Sequence, residues 1–576
     1  MACTHPDAAA GGADGSRAER HTASRRARAQ RRSPRALVEG LVVALTDARA
    51  PDQPAWRLMP LVLALAFAGR AAVALTGDFV LHPDEVMQYL EPAHRLVFGN
   101  GVVYWEYFYG ARSWLIPGAV AGVLKLFDLV GLGQPWWYVD GVKLVFCMLS
   151  LAIPAGMYVF ARRRFGETAA RVALVAGAFW YELAGFAHKP LTELVATAPL
   201  MGLLALCVRP ATDSPRVPLQ AAALAVLAGA IRMQYAPVAL VLLAVVFLRT
   251  RHKLLLAGAA AALTLAVGIF DAVTWDGGLF HSYLTNLRFN LADGGNLSGQ
   301  VPFHRLPWWF ALAGGGLSVL CLAGALRSPR RYGLLVGLTA LVLLIHSLPP
   351  HKELRFIFVV IPLWLLIGAD LAARAAAWVG ARAPARPDAV RWTMAAAGTL
   401  FAVASIAGML KALPAQALAY PAWAREAGND HFLYGQDGAF AAYRYLARAP
   451  GVEAVWHLDR PYFTTPGYYY LHRAIPWYDS ASGGLINRSM ATVSASVSHL
   501  VFTRRDLTVP GYSPEREFGD IRILRRDAAG PPVRRWREYA PVTVFQAVWA
   551  VMPLVDADAP PPPANFAIEF AAGGNR

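Results

Sequence analysis

Between two apolar runs long enough to cross a bilayer, the chain carries His82-Pro83-Asp84-Glu85, and in the same loop Glu91, His94, Trp105-Glu106 and Arg112-Ser113. Carboxylates beside a membrane are costly to keep charged and rarely idle. One of them within hydrogen-bond reach of a hydroxyl can take its proton as that oxygen attacks. A later string, His351-Lys352-Glu353-Leu354-Arg355, supplies cations that can hold an anion, the arginine bidentately. The plain alternatives are acids that merely solvate a loop, basic residues that snorkel at the end of a span, and a Glu85 that complements the N-terminus of a short amphipathic helix opened by Pro83 and running through Leu96. The combination of the acid pair with His94, Trp105 and Arg112, and then with the second string, favours a site.

Segments so distant in sequence need a scaffold that delivers them to one place. The composition names the scaffold: 576 residues, 56% hydrophobic, mean hydropathy +0.37, with repeated apolar runs of spanning length. The formal charge of +16, from 54 Lys and Arg against 38 Asp and Glu, would suggest nucleic acid for a soluble protein. Here the basic residues sit mostly in short loops, so the excess reads as topology and no nucleic-acid partner follows. The candidate spans are 57–77, 138–161, 169–187, 191–208, 217–231, 235–249, 254–270, 307–326, 332–348, 356–378 and 392–410, about eleven in all. Residues 1–55, Arg-rich and without apolar periodicity, read as a disordered basic tail. The run after it holds Arg70 and lacks a small-residue cleavage site, so it reads as an uncleaved first span.

With the tail in the cytoplasm, the loops at 162–164, 209–216, 249–253, 327–331 and 374–391 also fall there and satisfy the positive-inside rule. The opposite face then receives the loop 78–137, His188-Lys189, Arg232-Met233-Gln234, Asp271 to Arg305, and 351–355. Five chemically loaded segments collecting on the face that the bias leaves poor in charge is the main sequence argument for a shared site. It requires residues 217–249 to cross twice; a single crossing would move the later loops to the other side. Residues 56–410 thus form a polytopic domain with a catalytic first external loop. Residues 411–576 change character, with short β-branched or aromatic runs such as 493–502, the turn Pro466-Gly467 and a Pro-rich tail from Pro560, and read as an external soluble α/β domain. Cys3, Cys147, Cys207 and Cys321 form no disulfide framework or zinc spacing, and the external domain, having none, must be held by its own core. No phosphate-binding Gly loop or nucleotide fingerprint is present. Two adjacent carboxylates make a poor metal cage, so no metal or other cofactor is expected.

The stretch His82 to Glu91, with His94, Gly101, Trp105-Glu106-Tyr107, Gly110, Arg112-Ser113 and Pro117, resembles the first external loop of glycosyltransferase family 22, the polyprenyl-phosphate-mannose-dependent mannosyltransferases, and most of all its GPI branch. The string 351–358 with Pro362 resembles the same family's segment before a late span. Fainter likenesses are Asp271, Asn286 and Phe289-Asn290, and Thr465 to Tyr470 with His472 and Pro476. Two features depart from the eukaryotic pattern: Glu193 stands where Asn is expected, and the C-terminal segment lacks the usual cysteines. The Ala- and Arg-rich composition looks like that of a bacterial relative.

The resemblance implies a GT-C fold and transfer of a hexose, mannose above all, from a polyprenyl-phosphate sugar to an acceptor on the external face of a bacterial plasma membrane. On that footing Asp84 is the base, with Glu85 as alternative or orienting partner. Lys352 and Arg355 hold the departing phosphate, with His351, Arg112, Lys189 and Arg232 as further candidates. His94, Trp105, Glu106, Glu353 and Asp271 are candidates for substrate contact, the aromatics at 104–107 being equally an interfacial belt. A glycan, lipid or protein acceptor, another lipid-linked sugar, and a lipid or sugar-lipid transporter all stay open at this stage. A transporter should show midplane charges and internal pseudo-repeats, neither of which is evident.

Overall fold

A computed structural model describes residues 58–76, 84–209, 214–293 and 301–382, and in the C-terminal region chiefly 438–458, 465–479, 497–503 and 511–528. The basic tail 1–55, the residues His82 and Pro83, and the last expected span, 392–410, lie outside these. The remaining ten expected spans are all helical. Among the described residues, five helices are long and apolar enough to cross a membrane: Leu58–Thr76, the bent pair within Pro135–Arg164, Lys253–Trp275, Pro329–Ser347 and Val360–Arg382. Three shorter apolar helices, Thr192–Cys207, Arg216–Ile231 and Met233–Arg249, pack beside them. The exposed side chains of these helices are large and apolar, among them Leu65, Leu240, Leu254 and Val273, as are Leu320 and Leu326 on the helix Arg305–Arg327, as a lipid-facing surface requires. Arg70 is buried in the first helix without being stranded. It donates to Ser150 Oγ at 2.6 Å and to the carbonyls of Gly177 and Ala178 at 3.2 and 3.3 Å, where adjoining helices break.

The bundle has two unlike ends. At one, Arg163 reaches the Ala205 carbonyl, Arg164 the carbonyls of Arg330 and Arg331, and Arg249 that of Arg209, so the basic loops cluster. The other end gathers the loops around 84–112, 188–193, 232–235, 281–288 and 351–357. Residues 216–249 rise as Arg216–Ile231, turn at Arg232–Tyr235 and return as Ala236–Arg249, delivering Arg232 to the second end and Arg249 to the first. That double passage keeps the later loops in phase.

The first long loop is largely helical: a π-helical segment Glu85–Leu90, then Glu91–Phe98, a short turn Trp105–Phe108, and the apolar Leu115–Leu129. The helix opened at Asp84 therefore forms, and runs to Phe98 rather than Leu96.

The C-terminal region builds a five-stranded sheet in the order β2-β1-β3-β5-β4, with β1 Val455–His457, β2 Trp477–Asp479, β3 His499–Phe502, β4 Tyr512–Phe518 and β5 Ile521–Arg526. β1 pairs in parallel with β2 and β3, and the β4–β5 hairpin turns at Gly519-Asp520 and pairs antiparallel with β3. Strand alternation splits the core: Leu500, Phe502 and Leu524 pack with Trp456 on one face, while Val501, Ile521 and Ile523 join the core of the helical bundle. The C-terminal region thus has a core of its own on one face and shares the core of the bundle on the other. Tyr443, Tyr468, Tyr469 and Trp477 share one apolar cluster with the first-loop helices.

Candidate functional site

Asp84, the residue before Glu85–Leu90, lies at the motif end with its side chain 14% exposed. The 3-10 turn Leu354–Ile357, forced by the short passage into the Val360–Arg382 helix, swings Arg355 inward. Its guanidinium meets three carboxylates: Nε donates to Glu353 Oε2 at 2.5 Å, Nη1 to Glu193 Oε1 at 2.8 Å and Nη2 to Asp84 Oδ2 at 2.6 Å. Burial opposes the charge, but Glu193, Glu353 and Asp84 together hold Arg355 firmly protonated, well above its ordinary range. Glu193, wholly buried in the first turn of Thr192–Cys207, also takes Arg232 Nη1 at 3.1 Å. Thr192 ties this to the first loop, accepting from Arg232 at 3.3 Å and from the Tyr89 hydroxyl at 3.2 Å. Buried ions of this kind persist only when paired and hydrogen-bonded, and each of these faces at least one opposite charge.

Two further pairs flank the network. Lys189 Nζ binds Glu85 Oε1 at 3.0 Å, both side chains buried. Arg112 binds Glu106 Oε1; among the described residues Glu106 Oε2 and Arg112 Nε, both buried, find no hydrogen-bond partner. Burial pushes the Glu106 carboxyl up, Arg112 pulls it down, and the nearby Asp84 charge pushes it up again. Gly110, at φ +67°, lets this loop lie against the helix His281–Arg288, where a Cβ would meet His281 Nε2. Between the loops is a narrow cavity of about 40 Å³ whose walls include Arg112, Ser113, Thr192, Arg232, Tyr283 and Asn286. It is a narrow cleft with room for a water or two. Arg232 Nε, buried beside it, is likewise without a partner among the described residues.

Several expectations change. Lys352 is not turned toward an anion: its ammonium donates to the carbonyls of Val301 and Pro349, both at 2.6 Å, and so pins the loop ahead of the span. Arg355 organises carboxylates rather than standing open, Glu353 serves as its bidentate partner, and His351, 30% exposed, sits on Glu353 Oε1 at 2.7 Å. Lys189 is occupied by Glu85. Asp271 accepts from Ser282 N and Oγ at 2.7 and 2.6 Å, capping the helix at 281 instead of reaching the cleft. His94 is buried at a joint with the C-terminal region, Nδ1 on the Asn100 carbonyl at 2.6 Å and Nε2 on His472 Nδ1 at 2.9 Å. Its neighbour Glu91 accepts from Val102 N and Tyr469 N at 2.6 Å each, against the Gly467 turn. Trp105 opens the short helix Trp105–Phe108. Asp84, Arg112 and Arg232 are brought together. Glu193, Thr192 and Tyr89 were not among the chosen candidates, although a buried acid at the start of a span was the signal that could have found Glu193. Among the described residues no group of His, Cys, Asp or Glu is placed to hold a metal ion.

Comparison with known proteins gives relatives by sequence and by fold. The chain is 30% identical over 327 residues to GPI mannosyltransferase 3 of Yarrowia lipolytica, covering 54% of this chain and 61% of that protein. It is 29% identical over 322 residues to mannosyltransferase APTG1 of Arabidopsis thaliana, covering 53% and 57%. It thus spans little more than half the length of the curated relatives it matches. The crystal structure of ArnT from Cupriavidus metallidurans bound to undecaprenyl phosphate superposes with a TM-score of 0.52 at 15% identity, over 83% of this chain and all of that one, a likeness of fold alone. Residues 61–425, which hold every charged group of the network above, match the family model of the Alg9-like mannosyltransferases, and the chain belongs to that family.

Proposed function

We propose that the protein is a multi-pass membrane mannosyltransferase that moves mannose from a polyprenyl-phosphate carrier to an acceptor hydroxyl at the motif end of the bundle. The observation that carries this is one continuous ionic chain, Asp84 to Arg355 to Glu193 to Arg232, ending at the cleft that Arg112 also lines. In the reaction the acceptor oxygen attacks the anomeric carbon of the sugar. Asp84 takes the hydroxyl proton, the bond from that carbon to the phosphate oxygen breaks, and the carrier phosphate leaves with the electron pair. Its charge grows as it leaves, so cations fixed in advance lower the barrier. Arg112 and Arg232 are the groups for this task, since each lines the cleft and each has an unfilled Nε among the described residues; Arg355, saturated by carboxylates, holds Asp84 in position. Glu106 Oε2 is an open acceptor for a sugar hydroxyl. The cleft walls must part to admit the donor.

The bound undecaprenyl phosphate of ArnT fits a polyprenyl carrier, and the relatives' names fit mannose as the sugar. By the charge bias of the loops, the tail and the basic end face the cytoplasm, and the motif end and C-terminal sheet face outward from the plasma membrane. The test is transfer of label from radiolabelled polyprenyl-phosphate mannose to membrane extract by the purified protein, followed by identification of the product. Uptake of the labelled lipid into vesicles with no new glycosidic bond would favour a transporter instead, and label passing only from a pentose donor would replace mannose.

A further inference from the structure

The end of the bundle opposite the charged network contains a larger cavity, about 800 Å³, walled by Phe165 to Ala169, by the turn Arg327 to Arg331 and by the helix face from Asp370 to Ala377. Four arginines line it, Arg327, Arg330, Arg331 and Arg374, against two acids, and both acids are occupied by neighbours. Asp370 receives Arg331 Nε and Nη2 at 2.5 and 2.6 Å and the Tyr332 hydroxyl at 2.6 Å. Glu167 receives Arg171 at 3.0 Å, Arg162 at 3.4 Å and the Tyr158 hydroxyl at 3.2 Å. Arg327, Arg330 and Arg374 remain exposed on the rim. Two helices, Glu167–Phe179 and Pro329–Ser347, begin in the cavity wall, and the partial positive charge of their first turns adds to the field.

The surroundings say what kind of anion would settle there. Val319, Leu322 and Leu326 are 67%, 48% and 74% exposed at helical spacing, an apolar stripe that ends at Arg327 on the cavity rim. Next along the helix beyond Ala377, Trp378 is 57% exposed and carries Arg382 over its ring at 3.7 Å, an arrangement suited to the membrane–water boundary. A soluble anion has no use for the stripe. We propose that this cavity binds the phosphodiester headgroup of an anionic phospholipid, with the acyl chains lying along Val319, Leu322 and Leu326. Guanidinium groups recognise phosphate oxygens through paired hydrogen bonds, and basic recesses between spans are natural headgroup sites. Arginines that serve only to orient the chain in the membrane would show no preference among headgroups.

The full chain, purified in an uncharged detergent, is titrated with short-chain phosphatidylglycerol, short-chain phosphatidylcholine or inorganic phosphate. The unfolding midpoint is followed, and native mass spectrometry counts the lipid retained. Phosphatidylglycerol should raise the midpoint and stay bound, because a ligand of the folded state stabilises it in proportion to its occupancy. The rise should vanish in the Arg327→Gln/Arg330→Gln/Arg374→Gln variant and persist in Arg216→Gln/Arg251→Gln, which removes exposed charge elsewhere at the same end. The replaced side chains are exposed, so the lipid-free midpoint should match the parent protein; should the triple variant fold poorly, Arg374→Gln alone must weaken the rise. An equal rise with phosphatidylcholine or with inorganic phosphate, or a rise unchanged by the triple variant, overturns the proposal.

Discussion

Replacing Asp84 by Asn separates the proposed chemistry from the architecture around it. Asp84 accepts from Arg355 Nη2 at 2.6 Å, and Arg355 keeps Glu193 and Glu353 whatever stands at 84. An amide oxygen can still accept that bond. The loss in folding is then the difference between a hydrogen bond joining two ions and one joining an ion to a neutral group, about 1–2 kcal/mol. The loss in rate is larger: a missing general base costs about 100- to 10,000-fold, or roughly 3–5 kcal/mol of barrier. Glu85→Gln should behave the other way. Glu85 and Lys189 are both buried, and neutralising one leaves the other charge with a poor partner at a cost of up to about 3–5 kcal/mol in stability. Its thermal midpoint should fall while turnover per folded molecule changes little. This replaces the milder outcome that a helix-terminal charge would give, worth about 0.3–1 kcal/mol. The assay is labelled mannose transferred per folded protein, with donor binding measured separately and midpoints recorded for both variants. Full transfer by Asp84→Asn beside a folded but inactive Glu85→Gln would move the base by one residue. Full transfer by both would refute the carboxylate mechanism.

Arg232→Gln and Arg112→Gln should raise the donor KM and lower kcat together, about 10-fold or more each if they hold the leaving phosphate; unchanged donor kinetics in both would remove the anion from that cleft. Arg355→Ala should lower abundance as well as activity, because it removes the cation shared by Asp84, Glu193 and Glu353 at a cost of up to about 3–5 kcal/mol, whereas a stable, inactive protein would return Arg355 to direct phosphate contact. Cysteines placed at the exposed positions His304 and Arg251 should react with an impermeant thiol reagent from opposite sides of the membrane, and labelling of both from one side would undo the proposed topology. Burial lowers His94 to about 3 and His472 to about 4, and raises Glu91 to about 8. Acidification below the ordinary histidine value of 6.5 therefore favours the unfolded chain, which alone takes up the two histidine protons. Between 4.5 and about 8 the folded chain alone keeps the Glu91 proton, so this group loses stability as pH rises across that window. Within this joint two histidines outweigh one carboxyl on the acid side, so its own contribution to stability should be greatest near 6.5; a melting series in which His472→Asn keeps the full acid-side slope would show that the joint does not titrate this way.

The parts of this protein that repeat were legible from sequence, because hydrophobic length and loop charge are properties of contiguous residues. The apolar helices described at ten of the expected segments, five of them long enough to cross a membrane, and the doubling back at Arg232 follow from them. What the sequence could not supply was pairing. His351, Lys352, Glu353 and Arg355 look like one cationic string, yet a 3-10 turn sends Arg355 into the carboxylates and leaves Lys352 on backbone carbonyls, a division set by the backbone path and invisible in composition. Asp271 and His94 misled for the same reason: each is polar and buried, but local partners, Ser282 for one and Asn100 with His472 for the other, satisfy it away from the cleft. Glu193 shows the converse. It was visible as an odd acid at the head of a span, and only the meeting of Arg232 and Arg355 on its carboxylate explains why an acid is tolerated there at all. Two arginines converge on that one carboxylate; with Asn at 193, Arg355 would keep Asp84 and Glu353, but Arg232 would lose the one carboxylate it pairs with among the described residues, and so the identity of this residue is coupled to the charges that face it rather than to its own position in the helix.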